Sequence, residues 1–124
     1  MKLSLIAAAA AVLLAPAAAS AADLSGSWKL ELSIAGMMFE TTCQMTQAGA
    51  AITGSCTGAD PAAGGKPTVL TGTVDGSTAK FAYDITYQGN PMHVAYTGAM
   101  KSDTAMDGAV DVQIAQGTFT GAKQ

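Results

Sequence analysis

Apolar residues alternate with polar ones along most of this sequence, and this period of two is the feature that most restricts its fold. The alternating runs are short and are separated by Gly, Asn, Asp or Pro, which favour turns. We predict eight β-strands, over residues 25–34, 37–47, 51–57, 68–74, 78–87, 92–100, 105–114 and 117–123. No connection is as long as the roughly twelve residues that a parallel crossover needs, so neighbouring strands should pair antiparallel.

The predicted hairpins agree on one apolar face, because residues paired across a hairpin lie on the same side of the sheet. A turn at residues 35–36 places Trp28 opposite Cys43, and a turn at residues 49–50 places Cys43 opposite Cys56. For loops at residues 88–91 and 115–116, the predicted pairs are Tyr87 with Met92, Ile85 with Val94, Tyr83 with Tyr96, and Val112 with Phe119.

The only two cysteines, Cys43 and Cys56, are therefore cross-strand neighbours. A two-residue turn with Gly49 at its first position makes them a non-hydrogen-bonded pair, whose Cα atoms lie about 4.5 Å apart, at the short end of the range for disulfides. A redox site needs Cys-x-x-Cys or a lone activated thiol, and a zinc site needs three or four ligands. We predict a structural hairpin disulfide and no metal site.

The other face of the strands is polar, and its side chains include Lys29, Glu40, Lys80, Asp84, His93 and Asp111. Such a face meets water, not lipid. Eight sequential strands with one apolar face favour an all-β, antiparallel up-and-down barrel, because closure removes both sheet edges. A β-sandwich is the alternative.

The N-terminal segment has the pattern of a secretory signal peptide over residues 1–22. Lys2 precedes an apolar run over residues 3–14, and Pro16 is followed by small residues that suit signal peptidase. We expect a single domain over residues 23–124, located in the periplasm or secreted, with no membrane insertion after cleavage.

The charge of that domain argues against nucleic acid as a partner. Five lysines stand against nine acidic residues, which gives a net charge of −4, and the sequence has no arginine. Phosphate backbones would be repelled.

The stretch Gly26-Ser27-Trp28 resembles the G-x-W motif of the calycin group, which includes the lipocalins, and the likeness in build spans the whole predicted domain. The resemblance implies a lipocalin-like barrel in which Trp28 closes the base against a basic residue of the last strand, here Lys123. The longer stretch LSGSW, together with the cysteine pair, resembles the small periplasmic barrels that inhibit serralysin-type metalloproteases.

A pattern of an apolar residue, Thr or Ser, then Gly recurs along the chain, and the register points five glycines inward: Gly54, Gly72, Gly98, Gly108 and Gly121. These glycines either let the strands coil, with neighbouring aromatic side chains covering the gaps, or leave an internal cavity.

Inward glycines beside aromatic residues suggest a small barrel that binds a small apolar ligand. The predicted ligand-binding residues of the interior are Trp28, Thr41, Phe81, Tyr83, Tyr87 and Tyr96. The alternative is a protein-interaction or protease-inhibitor barrel whose partner is a periplasmic protein and which acts through rim loops, the longest being residues 58–67.

Catalysis is not expected. His93 is the only histidine, it falls on the polar face, and the sequence places neither a carboxylate nor a nucleophile beside it. We predict neither catalytic residues nor a cofactor.

Overall fold

A computed structural model describes residues 23–124, so the predicted signal peptide lies outside the described residues. Eight strands follow one another: β1 (Gly26–Ile34), β2 (Met37–Ala48), β3 (Ala51–Thr57), β4 (Thr68–Asp75), β5 (Thr78–Tyr87), β6 (Asn90–Ser102), β7 (Ala105–Asp111) and β8 (Gln116–Lys123). Each strand pairs antiparallel with its neighbours in sequence, and β1 also pairs with β8. The predicted up-and-down barrel is confirmed, and the β-sandwich alternative is wrong.

The first two hairpins have the predicted register. Trp28 pairs with Cys43, and Cys43 pairs with Cys56. The two cysteines form a disulfide with an S–S distance of 2.02 Å and a Cα–Cα distance of 4.0 Å, and both are fully buried. Gly49 has a φ of 64°, the left-handed value expected at the first position of this turn. The hairpin disulfide is confirmed.

The β5–β6 register differs from the prediction by two residues. The observed pairs are Tyr87 with Asn90, Ile85 with Met92, and Tyr83 with Val94, so the predicted Tyr83–Tyr96 pairing is wrong. Gln88 and Gly89 have φ values of 52° and 82° and form a two-residue turn in place of the expected longer loop. A shift of two residues keeps every side chain on its predicted face.

Proline cannot donate to a strand ladder, so its place in a strand is restricted. In the structure Pro91 lies inside β6, opposite Thr86 in a non-hydrogen-bonded pair, so its nitrogen faces away from β5. Pairing of β6 with β7 begins only at Ala95, so no strand needs an N–H from Pro91.

The predicted pairing of Val112 with Phe119 is also wrong. β7 ends at Asp111, which pairs with Gln116, and residues 112–115 form a loop. The Val112 N–H donates to the carbonyl of Ala115 (3.0 Å), which closes this loop locally.

The barrel has two different ends. The turns at residues 49–50, 76–77 and 103–104 and both ends of the described chain lie at one end, which we call the closed end. The connections 35–36, 58–67, 88–89 and 112–115 lie at the other, the open end.

The closed end is sealed by Trp28. Its indole Nε1–H donates to the carbonyl of Leu24 (2.9 Å), and both residues are fully buried. Lys123, which pairs with Trp28 across β1 and β8, places its Nζ 5.6 Å from the ring centroid and donates to the carbonyl of Asp23 (3.0 Å). A cation over an indole face is attracted by the ring quadrupole. Lys123 thus occupies the place expected of the basic residue at the barrel base.

The five glycines act in two ways, and neither leaves a void. A Cβ at Gly98 would lie 2.8 Å from Cζ of Phe119, and one at Gly121 would lie 2.9 Å from Cδ2 of Leu30, so side chains already fill the space over both glycines. At the other three, a Cβ would come within 2.0, 2.1 and 1.9 Å of a carbonyl oxygen on the neighbouring strand; these are Gly54, Gly72 and Gly108. They permit close backbone approach, which supports the coiling interpretation.

Candidate functional site

The open half of the barrel contains a cavity of about 320 Å³. This volume is at the lower end of the range for small-molecule sites, roughly 300–1,000 Å³. Its walls are the inward side chains near the ends of β1, β2, β5 and β6, together with residues of the 58–67 and 112–115 loops.

The cavity exists because side-chain size changes along the barrel axis. In the closed half, aromatic rings meet across the interior: Tyr96 stacks on Phe81 with centroids 4.7 Å apart and meets Phe119 edge-on at 4.9 Å. In the open half, the inward positions hold mainly aliphatic side chains that leave space between them, and those that line the cavity include Leu32, Ile34, Ile85, Met92, Val94 and Val112.

A pair of tyrosines joins the two halves. Tyr83 lines the cavity, and its hydroxyl forms a hydrogen bond with the hydroxyl of Tyr96, which belongs to the aromatic cluster below. Tyr83 is 4% exposed and Tyr96 is 1% exposed. Burial raises the pKa of Tyr83 to about 12, and it raises the pKa of Tyr96 further still. Both phenols are therefore neutral at physiological pH.

The other polar groups of the lining are already engaged. Thr41 Oγ1 donates to the carbonyl of Thr57 (3.0 Å), which uses its only proton. Glu40, near the mouth, accepts a hydrogen bond from Lys29 Nζ at 3.0 Å, and this contact raises the pKa of Lys29. Among residues 23–124, neither lysine nor arginine lines the cavity.

The cavity mouth is apolar. Met37, Phe39, Tyr87 and Ile114, which we call the apolar rim, line the opening and are exposed to solvent, with Met37 at 58% and Ile114 at 76%. Exposed large apolar side chains that cluster around an opening are typical of binding surfaces.

The 58–67 loop contributes to this mouth. It contains a short 3-10 helix, Pro61–Ala63, and the Asp60 carboxylate accepts hydrogen bonds from the N–H groups of Ala62 (2.9 Å) and Thr86 (3.3 Å). The second bond ties the loop to β5. Ala59 and Pro61 line the cavity, so the longest loop forms part of its wall.

The six predicted ligand-binding residues fall into two groups. Thr41, Tyr83 and Tyr87 line the cavity. Trp28, Phe81 and Tyr96 are buried in the packed closed half and lie outside the lining.

Sequence reasoning did not select most of the lining. The apolar lining residues on the strands are marked in the sequence only by their inward position in the alternation. The residues of the packed core share this position, so it does not distinguish the two groups. The lining residues in loops are not marked in the sequence, because loops have no side-chain period; they include Ala59, Pro61, Ile114 and Ala115.

Sequence reasoning also missed a cross-strand pair on the outer face. His93 pairs with Asp84, and its Nδ1 lies 2.8 Å from Asp84 Oδ1, with both side chains largely exposed. The predicted register placed residue 93 opposite residue 86, so the two-residue shift hid this pair. Within the described part of the chain, no group of three or more His, Cys, Asp and Glu side chains could hold a metal ion. No helix in residues 23–124 is long and apolar enough to cross a membrane.

The barrel is similar to solved structures of redesigned proteins. The redesigned beta barrel b11L5F_LGL superimposes with a TM-score of 0.60 at 19% sequence identity, over 82% of this chain and 91% of that chain. The redesigned beta barrel mFAP1, bound to DFHBI, superimposes with a TM-score of 0.56 at 16% identity, over 85% of this chain and 100% of that chain. These likenesses establish the fold alone. No protein-family model and no curated protein sequence matches the chain.

Proposed function

We propose that this protein binds a small, largely apolar ligand in the cavity of the open half, and that it does so in the periplasm or outside the cell. The observation that carries the proposal is the cavity of about 320 Å³ with aliphatic walls and an exposed apolar rim. One molecule of liquid water occupies roughly 30 Å³, so this space corresponds to about ten water molecules and takes a small ligand of about ten or more non-hydrogen atoms. Burial of ligand surface would contribute about 25 cal/mol per Å².

A neighbour of the same fold supports this proposal. The redesigned barrel mFAP1 was solved bound to DFHBI, a small molecule, and all of that chain is covered by the superposition.

The proposed role is binding without catalysis. The His93–Asp84 pair is on the outer, solvent-exposed face of the barrel, while the cavity lies on the inner side of the same strands. A general base must reach the proton that it removes, so this pair is poorly placed to act on a molecule inside the cavity.

A cavity-filling variant tests the proposal. Ile85→Trp places an indole in the cavity from β5, whereas Lys80→Trp places the same side chain on the exposed outer face of the same strand. Neutral probes of about ten non-hydrogen atoms should raise the melting temperature of the intact protein and of Lys80→Trp, because binding to the folded state alone stabilises it. Ile85→Trp should bind at least tenfold more weakly.

Calorimetry should supply the dissociation constants for this test. Trp28 is fully buried at the closed end, away from the cavity, so its fluorescence is an insensitive reporter. Equal affinities in both tryptophan variants would place binding outside the cavity, and no binding by the intact protein would refute the function.

The second candidate is a protein-interaction or protease-inhibitor role through the open end. It is favoured by Met38, which is 69% exposed beside the apolar rim and does not line the cavity. This candidate predicts that the intact protein inhibits a purified serralysin-type metalloprotease and that Met38→Ser weakens the inhibition without changing the affinity for small probes. Failure of the intact protein to inhibit this protease would refute the inhibitor role.

A further inference from the structure

The hydrogen-bonded tyrosines Tyr83, which lines the cavity, and Tyr96, which lies behind it, have one hydroxyl proton that the protein does not use. Each phenol carries one proton and can also accept. Only one of the two protons can lie between the oxygens of Tyr83 and Tyr96, and within the described residues neither hydroxyl has another hydrogen-bond partner. The second proton therefore needs an acceptor from outside the protein.

The surroundings decide which hydroxyl keeps the unused proton. Tyr96 is enclosed by the rings of Phe81 and Phe119, where a free O–H would remain unsatisfied. Tyr83 borders the cavity. The favoured arrangement has Tyr96 donating to Tyr83, with the Tyr83 O–H turned toward the cavity.

We propose that the cavity selects neutral ligands with a carbonyl oxygen at one end, which enter carbonyl first and accept a hydrogen bond from the Tyr83 hydroxyl. This inference rests on the proposed binding function and names its ligand class. The rest of the bound ligand would lie along the aliphatic walls and extend outward past the apolar rim.

Carboxylates are excluded from this class by the charges around the cavity. A buried anion needs a partner of opposite charge or several donors. The lining in residues 23–124 offers no lysine or arginine, and the proton of Thr41 is already bound to the Thr57 carbonyl.

Three probes of matched shape test the inference: 2-acetylnaphthalene, 2-ethylnaphthalene and 2-naphthoate, each titrated by calorimetry at pH 7. Each has about a dozen non-hydrogen atoms, so the ring end farthest from the substituent should lie at the apolar rim. The ketone and the hydrocarbon should bind, and the carboxylate should bind at least tenfold more weakly than the ketone. In Tyr83→Phe, the affinity for the ketone should fall by roughly 2- to 10-fold relative to that for the hydrocarbon, which corresponds to the loss of one hydrogen bond.

The carbonyl stretching frequency of ¹³C-labelled 2-acetylnaphthalene separates a hydrogen bond from a merely structural effect. In the intact protein the band should lie at the lower frequency of a hydrogen-bonded ketone, and in Tyr83→Phe it should return to the value found in an apolar solvent. Tyr87→Phe, which removes a rim hydroxyl, and Tyr96→Phe, which leaves the Tyr83 hydroxyl in place, should both keep the lower frequency.

Each result has a defined meaning. A carbonyl band at the apolar-solvent position in the intact protein overturns the inference, even where Tyr83→Phe does not fold. Equal relative affinities in the intact protein and in Tyr83→Phe also overturn it, as does naphthoate binding as tightly as the ketone. In these cases the binding function survives. If none of the three probes binds, the proposed function itself fails.

Discussion

Reduction of the disulfide should destabilise the barrel by an amount that the loop length sets. Cys43 and Cys56 are 13 residues apart, and closing a loop of this size stabilises the folded chain by about 3 kcal/mol through the entropy of the unfolded state. A domain of about 100 residues unfolds with an entropy of about 0.21 kcal/mol/K, so the melting temperature should fall by about 14 °C. The reduced chain should still fold, because the rest of the buried core is unchanged.

The assay compares melting curves of oxidised and reduced protein by circular dichroism. Because both cysteines are fully buried, the protein should be reduced in denaturant and refolded in reductant. Cys43→Ala/Cys56→Ala is the control, and its melting temperature should not respond to reductant. A shift below about 3 °C would show that the disulfide does not stabilise the barrel by this mechanism. Free thiols in denatured protein before reduction would show that the disulfide does not form.

Two further predictions concern the buried interior of the barrel. Gly98→Ala should destabilise by about 1–3 kcal/mol in urea unfolding, because the new methyl group meets the Phe119 ring; Gly108→Ala should cost more, because the new methyl group meets backbone. Equal losses of unfolding free energy in the two variants would contradict the described packing. The raised pKa values of Tyr83 and Tyr96 predict that stability falls as pH rises from about 10 to about 12, since only the unfolded chain then releases these protons. Below about pH 12, absorbance should show both phenolates forming only with unfolding, and phenolate formation from both in folded protein at these pH values would contradict their burial.

The fold could be predicted because its signals are local. Alternation defined which side chains face inward, and this assignment survived the wrong β5–β6 and β7–β8 registers, since both errors were even numbers of residues. The disulfide was predictable because Gly49 fixes a short turn close to both cysteines. The outer His93–Asp84 pair could not be predicted in this way, because it depends on the β5–β6 register itself.

The site was only partly predictable, because alternation does not tell how far along the barrel axis a residue lies. Trp28 and Tyr83 face the same interior, yet one seals the closed end and the other borders the cavity. The position of a residue along the barrel axis depends on strand tilt and stagger, which the sequence pattern does not define. The contributions of Ala59 and Pro61 required the path of a loop, which has no side-chain period.

The most direct test of the binding function is a methyl-resolved NMR titration with 2-acetylnaphthalene. Ligand binding in the cavity should give saturable shift changes for the methyl groups of Leu32, Ile85 and Val94, which line it. The shifts of Leu24 and Leu70, which are buried outside the lining, should stay unchanged. Absence of any saturable change, or changes confined to residues outside the cavity, would contradict binding in the cavity.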